Sequence, residues 1–195
     1  MGNDPYRDWA DRYDLFPEDR SEETGFFEKL FSENRVRRVL DCACGTGNEL
    51  LIFDALDCDV VDSDISDSML THARERIDES GAQIPLHRLD YRRLPDKFTE
   101  EFDAVVCWSA SIVHVTDDED ALKAFQSMRS VLCKGGVLVM DQGITDGLWS
   151  DSVRFSLNRS SSEATRLYAV DFLGERKATY HVLDVIHGDH PELKV

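Results

Sequence analysis

Residues 39–49 read VLDCACGTGNE, a run of small residues between an apolar strand pattern and a helix pattern. Residues 39–41 predict the end of a buried strand, and residues 46–49 predict the first turn of a helix. Gly45 and Gly47 leave the backbone open to a ligand, and a helix N-terminus favours electronegative atoms. The segment therefore predicts a binding loop where a strand of an α/β fold meets its helix.

Short apolar runs alternate with helical patterns along the chain. The runs predict five strands, at residues 36–41, 59–64, 83–89, 102–108 and 137–141. Between the strands, apolar residues recur at helical spacing, and Gly135-Gly136 predicts the turn from the last of these helices into the fifth strand. The alternation predicts βα units in a Rossmann-like, doubly wound α/β sheet.

The length of 195 residues suits one well-buried domain. Residues 1–34 form a predicted N-terminal helical arm, residues 35–143 the ligand-binding core, and residues 144–195 a substrate-side antiparallel extension. In the arm, aromatic residues either cover a ligand or pack as a terminal segment; they are Tyr6, Trp9, Tyr13 and Phe16. In the extension, polar and apolar residues alternate on either side of a turn near Gly174, which predicts an antiparallel hairpin.

The composition limits the binding partners and the cellular compartment that can be expected for this protein. The formal net charge is −17, with 39 acidic against 22 basic residues, so the surface repels a nucleic-acid backbone. The sequence has no apolar run of membrane-spanning length, and its first residues are acidic, unlike a signal peptide. We therefore expect a cytoplasmic protein that acts on a small molecule, without nucleic-acid or membrane partners. The oligomeric state stays open, and a homodimer is compatible with the sequence.

The five cysteines indicate small core residues in a reducing compartment. Their odd number argues against a complete disulfide framework. Cys42 and Cys44 form a C-x-C pair, but no second pair stands at ligand spacing, so no metal site is predicted.

Acidic residues close the predicted strands at the edge where open α/β sheets bind ligands. An acid at the end of the second strand can accept both hydroxyls of a ribose, and Asp64 is favoured over Asp62 because the next helix begins directly after it. Asp90 is placed to meet an adenine amino group. The residues predicted to flank the adenine ring are Ile65, Met69 and Tyr91. A helix-cap, packing or loop role is the alternative for each of these residues.

The sequence of the glycine loop distinguishes between two cofactors that contain adenosine, NAD and SAM. The dinucleotide fingerprint G-x-G-x-x-G requires a glycine where this chain has Leu50. The loop reads D-x-A-x-G-x-G, formed by Asp41, Ala43, Gly45 and Gly47, and resembles the first motif of class I S-adenosylmethionine (SAM)-dependent methyltransferases. Residues 64–70, DISDSML, resemble that family's second-strand acid and helix start. The resemblance covers about three quarters of the chain and implies SAM as cofactor, bound by these residues with Asp90 and Trp108.

Within that superfamily, the chain is most similar to the glycine and sarcosine N-methyltransferases. Tyr13 and Arg20 match the spacing of a tyrosine and an arginine in the arm of those proteins, which implies that Arg20 holds the carboxylate of the cofactor. A guanidinium suits this role because its paired donors match two carboxylate oxygens. His114 also matches and could act as a base for an amine, although a structural hydrogen bond is the favoured role.

Two departures from that group concern the substrate and the length. The group has an asparagine at the position of Ala110 and an arginine at that of Gly143, so a substrate carboxylate would lack both partners and glycine is not expected as substrate. The resemblance also implies a seven-stranded sheet that ends in an antiparallel pair. Either the hairpin replaces part of that edge or the sequence is truncated at its C-terminal edge, and the resemblance favours truncation.

These observations predict a SAM-dependent methyltransferase that transfers a methyl group to a small molecule, at an amine nitrogen. The first alternative is a SAM-binding protein without catalytic activity, in a regulatory or subunit role. The second is an NAD-dependent oxidoreductase, which the missing third glycine disfavours.

Overall fold

The computed structural model describes residues 4, 6–99, 101–141, 143, 149, 153–174 and 177–195. The contacts divide the chain into two compact units. One comprises Met1–Asp14 and Glu18–Gly143, and the other comprises Leu15–Pro17 and Ile144–Val195. Over the described ranges, no helix has both the length and the apolar character needed to cross a membrane.

The first unit is built on a parallel five-stranded sheet. Its strands are β1 (Arg38–Asp41), β2 (Asp59–Asp64), β3 (Leu86–Arg88), β4 (Phe102–Cys107) and β5 (Leu132–Met140). They lie in the order β3-β2-β1-β4-β5, and every neighbouring pair is parallel. The predicted strands are confirmed, with β2 at its predicted bounds, β3 shorter than predicted and β5 longer.

Helices cover the sheet on both faces. They are α1 (Ala10–Tyr13), α2 (Ser21–Asn34), α3 (Asn48–Ala55), α4 (Asp67–Ser80) and α5 (Asp118–Ser130), with 3-10 turns at Tyr91–Asp96 and Ser111–His114. Side chains of α2, α3 and α4 form one buried apolar cluster with the sheet. Side chains of α5 and the first 3-10 turn form the other. The doubly wound α/β prediction is therefore confirmed.

Gly135 and Gly136 lie inside β5, so the prediction that they turn a helix into the strand was wrong. The register of β5 against β4 shifts between Phe102 and Ala104, which marks a bulge opposite the two glycines. Gly135 has a φ of +87°. A Cβ on Gly136 would lie 3.0 Å from the carbonyl oxygen of Asp103. The pair thus lets the strand bulge against its neighbour.

The strand order places a crevice at the carboxyl ends of β1 and β4. The chain runs outward from β1 to β2 and β3, then returns to β4 on the other side of β1. Loops that leave these strands diverge to opposite faces of the sheet, and ligands of open α/β sheets bind in the resulting gap. The glycine loop follows β1 at this point.

The second unit contains a four-stranded antiparallel sheet. Its strands are β6 (Phe155–Ser160), β7 (Ala164–Phe172), β8 (Ala178–Ile186) and β9 (Glu192–Lys194), in chain order. The hairpin of β7 and β8 around Gly174 confirms the predicted one, and β6 and β9 extend it. Among the described strands, these four form a sheet separate from the parallel one.

An ion pair is buried in this second sheet. Arg166 on β7 donates to Asp184 on β8 through Nε at 2.7 Å and through Nη2 at 3.1 Å. The Asp184 side chain is fully buried, and the Arg166 side chain is 7% exposed. The guanidinium also lies over the ring of Phe16, 5.3 Å from its centroid. This pair crosses the central hairpin of the sheet, where water does not screen it.

The buried pair predicts a large loss of stability from one substitution. Asp184→Ala should lower the free energy of unfolding by about 3–5 kcal/mol, because it removes the carboxylate that accepts two hydrogen bonds from the buried Arg166 guanidinium. Asp171→Ala removes an acid from the exposed pair with Arg154 and should cost less than about 1 kcal/mol. Urea denaturation of the full chain compares the two variants, and similar losses would contradict the prediction.

Candidate functional site

A cavity of about 320 Å³ opens at the carboxyl ends of the parallel strands. This volume falls at the lower end of ligand pockets in general, roughly 300–1,000 Å³. The glycine loop supplies its floor, with Ala43, Gly45 and Thr46, and the loop after β2 supplies Asp64 and Ile65. Further walls come from the N-terminal arm, α3, α4, the turn after β3 and the loop after β4. The site thus lies in the crevice that the topology predicts.

The Asp64 carboxylate ties two loops of the cavity together. Its Oδ2 accepts the N–H of Gly45 at 2.9 Å, and its Oδ1 accepts the N–H of Ser66 at 2.8 Å. Ser66 is the N-cap of α4, and its hydroxyl oxygen accepts the N–H of Met69. The DISDSML pattern therefore encodes a cap at Ser66, while Asp64, two residues earlier at the end of β2, faces the cavity.

The backbone at Gly45 leaves room for a ligand. Gly45 has a φ of +56°, and a Cβ built on it would meet nothing within 4 Å. Gly47 differs, because its Cβ would lie 3.2 Å from the Cβ of Ala73 and 3.1 Å from Leu50. The first glycine thus opens the cavity, whereas the second lets α3 pack closely on α4. Gly47 does not line the cavity.

Nine of the thirteen predicted site residues line the cavity. They are Tyr13, Arg20, Ala43, Gly45, Asp64, Ile65, Met69, Tyr91 and His114. The four that do not line it are Asp41, Gly47, Asp90 and Trp108. Asp41 is buried below the glycine loop, where its Oδ1 accepts the N–H of Ala43 at 3.1 Å. Trp108 stacks on Phe26 of α2, with ring centroids 5.6 Å apart.

Asp90 lies beside the cavity with its carboxylate already bonded. Arg92 donates to it through Nε, at 3.0 and 2.9 Å, and through Nη2, while Nη1 of Arg92 reaches Asp120 at 2.6 Å. Asp90 lines a neighbouring cavity of about 260 Å³, which shares Ile65, Tyr91 and His114 with the first. An adenine amino group would therefore have to compete with Arg92 for the Asp90 carboxylate.

The N-terminal arm is tied down along one edge of the cavity. Asp4 accepts the N–H of Ser68 at 3.1 Å and its hydroxyl at 2.9 Å. Asp14 accepts hydrogen bonds from Arg76 at 2.9 Å and from Asn48 at 2.8 Å. These contacts lie on either side of Tyr6 and Tyr13, which line the cavity. The arm therefore forms a wall of the site, as one of the two alternatives for its aromatic residues predicts.

His114 faces the arm across the cavity. The hydroxyl of Tyr6 lies 2.8 Å from Nε2 of His114. Burial raises the pKa of Tyr6 to about 12, so its phenol keeps its proton. Burial also lowers the pKa of His114, and the nearby Asp64 carboxylate offsets only part of this effect. Nε2 of the neutral imidazole is thus engaged in a hydrogen bond with the Tyr6 hydroxyl, and it would have to give up this bond to act as a base.

The loop after β4 adopts an unusual backbone. Ser109 and Ala110 both lie in the left-handed region, with φ of 56° and 58°. Each such residue costs roughly 1–2 kcal/mol, and strained positions of this kind cluster at binding sites. The N–H of Ala110 donates to Oδ1 of Asp141 at 2.7 Å, and the hydroxyl of Ser111 donates to the carbonyl of Trp108 at 2.8 Å. These two bonds hold the loop, and Ser109 and Ser111 line the cavity.

The sequence analysis missed one charged pair of the cavity wall. Glu49, on the first turn of α3, accepts a hydrogen bond from Nη1 of Arg20 at 2.7 Å. Its side chain is 6% exposed. Burial raises the pKa of Glu49, although the positive charge of Arg20 acts in the opposite direction. In the sequence, the only signal for Glu49 was its place in the predicted helix start at residues 46–49.

Other lining residues were also missed. The sequence analysis placed Tyr6 in the arm without naming it as a site residue. It interpreted Cys42 and Cys44 as core residues, and all three line the cavity. The remaining members of this set are Thr46, Asn48, Ser109 and Ser111. All five cysteines are free thiols. Among the residues that the structure describes, no group of three or more histidine, cysteine or acidic side chains is arranged to hold a metal ion.

Comparison with known proteins places this arrangement among methyltransferases. A family profile described as "Methyltransferase domain" matches residues 39–136, about half of the chain. A glycine/sarcosine N-methyltransferase of Aphanothece halophytica is 34% identical over 122 residues, which cover 63% of this chain and 46% of the relative. The dTDP-3-amino-3,4,6-trideoxy-alpha-D-glucopyranose N,N-dimethyltransferase of Streptomyces venezuelae is 32% identical over 140 residues, which cover 69% and 56%. The chain spans about half the length of these curated relatives.

A solved structure shares the fold. It is an S-adenosylmethionine-dependent methyltransferase from Clostridium acetobutylicum, which matches with a TM-score of 0.80 at 22% identity. The match covers 97% of this chain and 78% of that protein. The fold of this chain is therefore one that a solved methyltransferase structure also has.

The acids at the end of β2 predict a pH dependence of stability. Asp62 is fully buried, and neither of its carboxylate oxygens meets a hydrogen-bond donor within the described residues. Burial raises the pKa of Asp62 well above its usual range, and the Asp41 carboxylate raises it further. A raised folded-state pKa gives stability that is present at acidic pH and lost as the pH rises toward that value.

Asp62→Asn should therefore become more stable relative to the unsubstituted protein as the pH rises. The advantage should grow by up to about 1.4 kcal/mol per pH unit above the unfolded-state pKa of roughly 4. Denaturation curves at several pH values between about 5 and 8 measure the difference. Asp59→Asn, an exposed acid on the same strand, serves as control. A stability difference independent of pH would contradict the prediction.

Proposed function

Because this chain belongs to the family of methyltransferase domains, we propose that it transfers a methyl group from SAM to an amine nitrogen of a small molecule. The observation that carries the proposal is the hydrogen bond that the N–H of Gly45 donates to the Asp64 carboxylate. It places an acid of the second strand and the open glycine loop in one cavity. An acid suited to ribose hydroxyls thus lies beside a backbone that leaves room for the rest of the cofactor.

The cavity residues fit such a cofactor. When bound, SAM supplies a methyl group made electrophilic by its sulfonium sulfur. We propose that Asp64 accepts the ribose hydroxyls and that Ile65, Met69 and Tyr91 flank the base. Arg20 would hold the cofactor carboxylate, with Tyr13 beside it and Ala43 and Gly45 beneath. Asp41, Gly47 and Trp108 would support the site from behind these residues, and Asp90 would act beside the adenine through the neighbouring cavity.

The proposed mechanism is direct in-line transfer. The chain contributes alignment of the acceptor nitrogen with the methyl carbon and exclusion of water by the arm. His114 and Tyr6 hold each other across the cavity, so His114 would orient the acceptor rather than remove its proton. A neutral amine needs no base before it attacks, because the proton leaves the nitrogen only after the bond to carbon forms.

The acceptor is proposed to be an amine without a carboxylate. The loop that follows β4 offers hydroxyls at Ser109 and Ser111, and a methyl group at Ala110 where the glycine-methylating group has an asparagine. A Cβ on Gly143 would lie 2.7 Å from the Cβ of Ala110, so a longer side chain does not fit there without displacement. The relatives include enzymes named for glycine and for an amino sugar, and this wall favours the uncharged kind of acceptor.

We further propose that the protein acts in the cytoplasm as a single methyltransferase domain and binds no nucleic acid. The net charge of −17 supports this proposal, because it disfavours approach to a phosphate backbone.

The ribose role of Asp64 can be tested by binding. Asp64→Ala should weaken SAM binding by about 1.5–3 kcal/mol, because it removes a charged hydrogen-bond acceptor and loosens the loop at Gly45. Asp62→Ala should have a much smaller effect, since Asp62 does not line the cavity. Titration calorimetry on the folded variants gives both values. Equal losses of affinity, or a larger loss for Asp62→Ala, would mean that Asp64 is not the acid that binds the ribose.

The acceptor class can be tested by activity. Transfer of a labelled methyl group from SAM should be slow to glycine and sarcosine, and faster to amino sugars and other neutral amines, since alanine and glycine stand at positions 110 and 143, where the resemblance implies polar partners for a carboxylate. Ala110→Asn should raise glycine turnover, because asparagine tolerates the left-handed backbone at this position. Gly143 is unsuitable for the same test, as its φ is +65°. Robust glycine turnover by the unsubstituted protein would overturn the assignment.

A further inference from the structure

Asp141 follows β5 directly and lies beside the loop that leaves β4. The parallel register pairs Cys107 with Met140, the last residues of the two strands, so the segments after them leave the sheet side by side. Oδ1 of Asp141 accepts the N–H of Ala110 at 2.7 Å. Asp141 lines neither the main cavity nor the neighbouring one. The residue therefore contacts the loop without lining the space for a ligand.

The loop that Asp141 contacts has a backbone that is unfavourable by itself. Ser109 and Ala110 are successive residues with left-handed φ, at 56° and 58°, and neither is a glycine. In the left-handed region the Cβ lies too close to the following carbonyl oxygen, so two such residues in a row are strained. A contact from outside the loop is needed to keep this shape against relaxation to the ordinary regions of φ.

Two contacts from the end of β5 keep Ala110 in place. The group that accepts its N–H is a carboxylate, and hydrogen bonds to carboxylates are among the stronger ones in proteins. A Cβ built on Gly143 would lie 2.7 Å from the Cβ of Ala110, so the chain after β5 passes close to the Ala110 methyl group. The end of β5 therefore holds Ala110 through its N–H and confines it through its side chain.

Three lining side chains depend on the backbone at Ala110. This residue directly precedes the 3-10 turn Ser111–His114 and forms its N-cap. Ser109 comes just before Ala110, and Ser111 and His114 are the first and last residues of the turn. All three line the main cavity. A rotation of the backbone at Ala110 would therefore move the two hydroxyls and the imidazole together.

We propose that Asp141 is a positioning residue for the methyl acceptor, because it fixes the loop that presents Ser109 and Ser111 to the cavity. The inference rests on the proposed function, in which this loop faces the acceptor while the glycine loop, Asp64 and the arm face the cofactor. Loss of the Asp141 carboxylate should then disturb the acceptor and spare the cofactor. An acid that only supported the fold would affect both ligands alike.

Removal of the carboxylate tests this difference. In Asp141→Ala, the KM for the acceptor should rise at least about tenfold, because a small misplacement of positioning groups has a large effect on transfer. The acceptors are glucosamine and benzylamine, two amines without a carboxylate, and the readout is transfer of a labelled methyl group from SAM. Titration calorimetry should give a Kd for SAM within about threefold of the unsubstituted protein. Circular dichroism establishes that each variant is folded.

Two conservative variants separate the position of the oxygen from its charge. Asp141→Asn keeps an oxygen at the same place, and the KM for the acceptor should stay within about threefold. Asp141→Glu keeps the charge but carries it one methylene further, and it should raise this KM at least about fivefold. If Asp141→Ala does not fold, the contrast between these two variants decides, and equal KM values for both would overturn the inference.

Asp103→Ala provides a matched control at the opposite end of the sheet. Oδ2 of Asp103 accepts the N–H groups of Arg37 and Arg38 at 2.9 and 3.0 Å, so this acid also joins neighbouring strands through backbone N–H groups. It lines neither cavity. Asp103→Ala should leave the KM for the acceptor and the Kd for SAM within about threefold. A rise in KM as large as that of Asp141→Ala would show a general effect of a loosened sheet and would overturn the inference.

Amide hydrogen exchange on the full chain measures the loop without any acceptor. Exchange in residues 108–114 should be at least about tenfold faster in Asp141→Ala, with no change in residues 42–47 of the glycine loop. Unchanged exchange in residues 108–114 overturns the inference. Faster exchange with an unchanged KM, or equal weakening of SAM and the acceptor, overturns it as well. If the unsubstituted protein methylates neither amine, the proposed function fails for these acceptors, and the exchange result still decides whether Asp141 holds the loop.

Discussion

The carboxylate of Asp64 joins the two loops on which the candidate site depends. One oxygen holds the glycine loop after β1 at Gly45, and the other holds the start of α4 at Ser66. A single acid thus fixes the distance between the floor of the cavity and its side wall. Because both bonds go to backbone N–H groups, they set the shape of the loops whatever side chains surround them. The open face of Gly45 and the capped start of α4 follow from this contact.

Charge is distributed unevenly around that contact. Asp41 and Asp62 are buried behind the glycine loop, and burial raises the pKa of both. Glu49 is buried as well, but it faces the cavity and has Arg20 as partner. The structure therefore keeps two acids out of contact with a ligand and presents one together with a cation.

The walls of the cavity are held by contacts between distant parts of the chain. The arm is fixed through Asp4 and Asp14 to residues of α4 and α3. The loop after β4 is fixed through the bond from Ala110 to Asp141, at the end of β5. Both segments carry aromatic or hydroxyl groups toward the cavity. The arm and this loop are thus parts of the cavity wall that contacts between distant segments hold in place.

The sequence by itself determined the parallel α/β sheet, the glycine loop and the place of Asp64 just before the capped start of α4, because strand and helix periodicity and a capped helix start are local properties of the chain. It did not determine that Asp90 binds Arg92, that Trp108 stacks on Phe26, or that Gly135 and Gly136 form a bulge. It also left Glu49 unrecognised, since nothing within its own helix turn indicates a partner at Arg20. Only the tertiary structure decided these points, because side chains far apart in sequence are paired by the packing of the folded chain, and a local pattern does not record which partner reaches them.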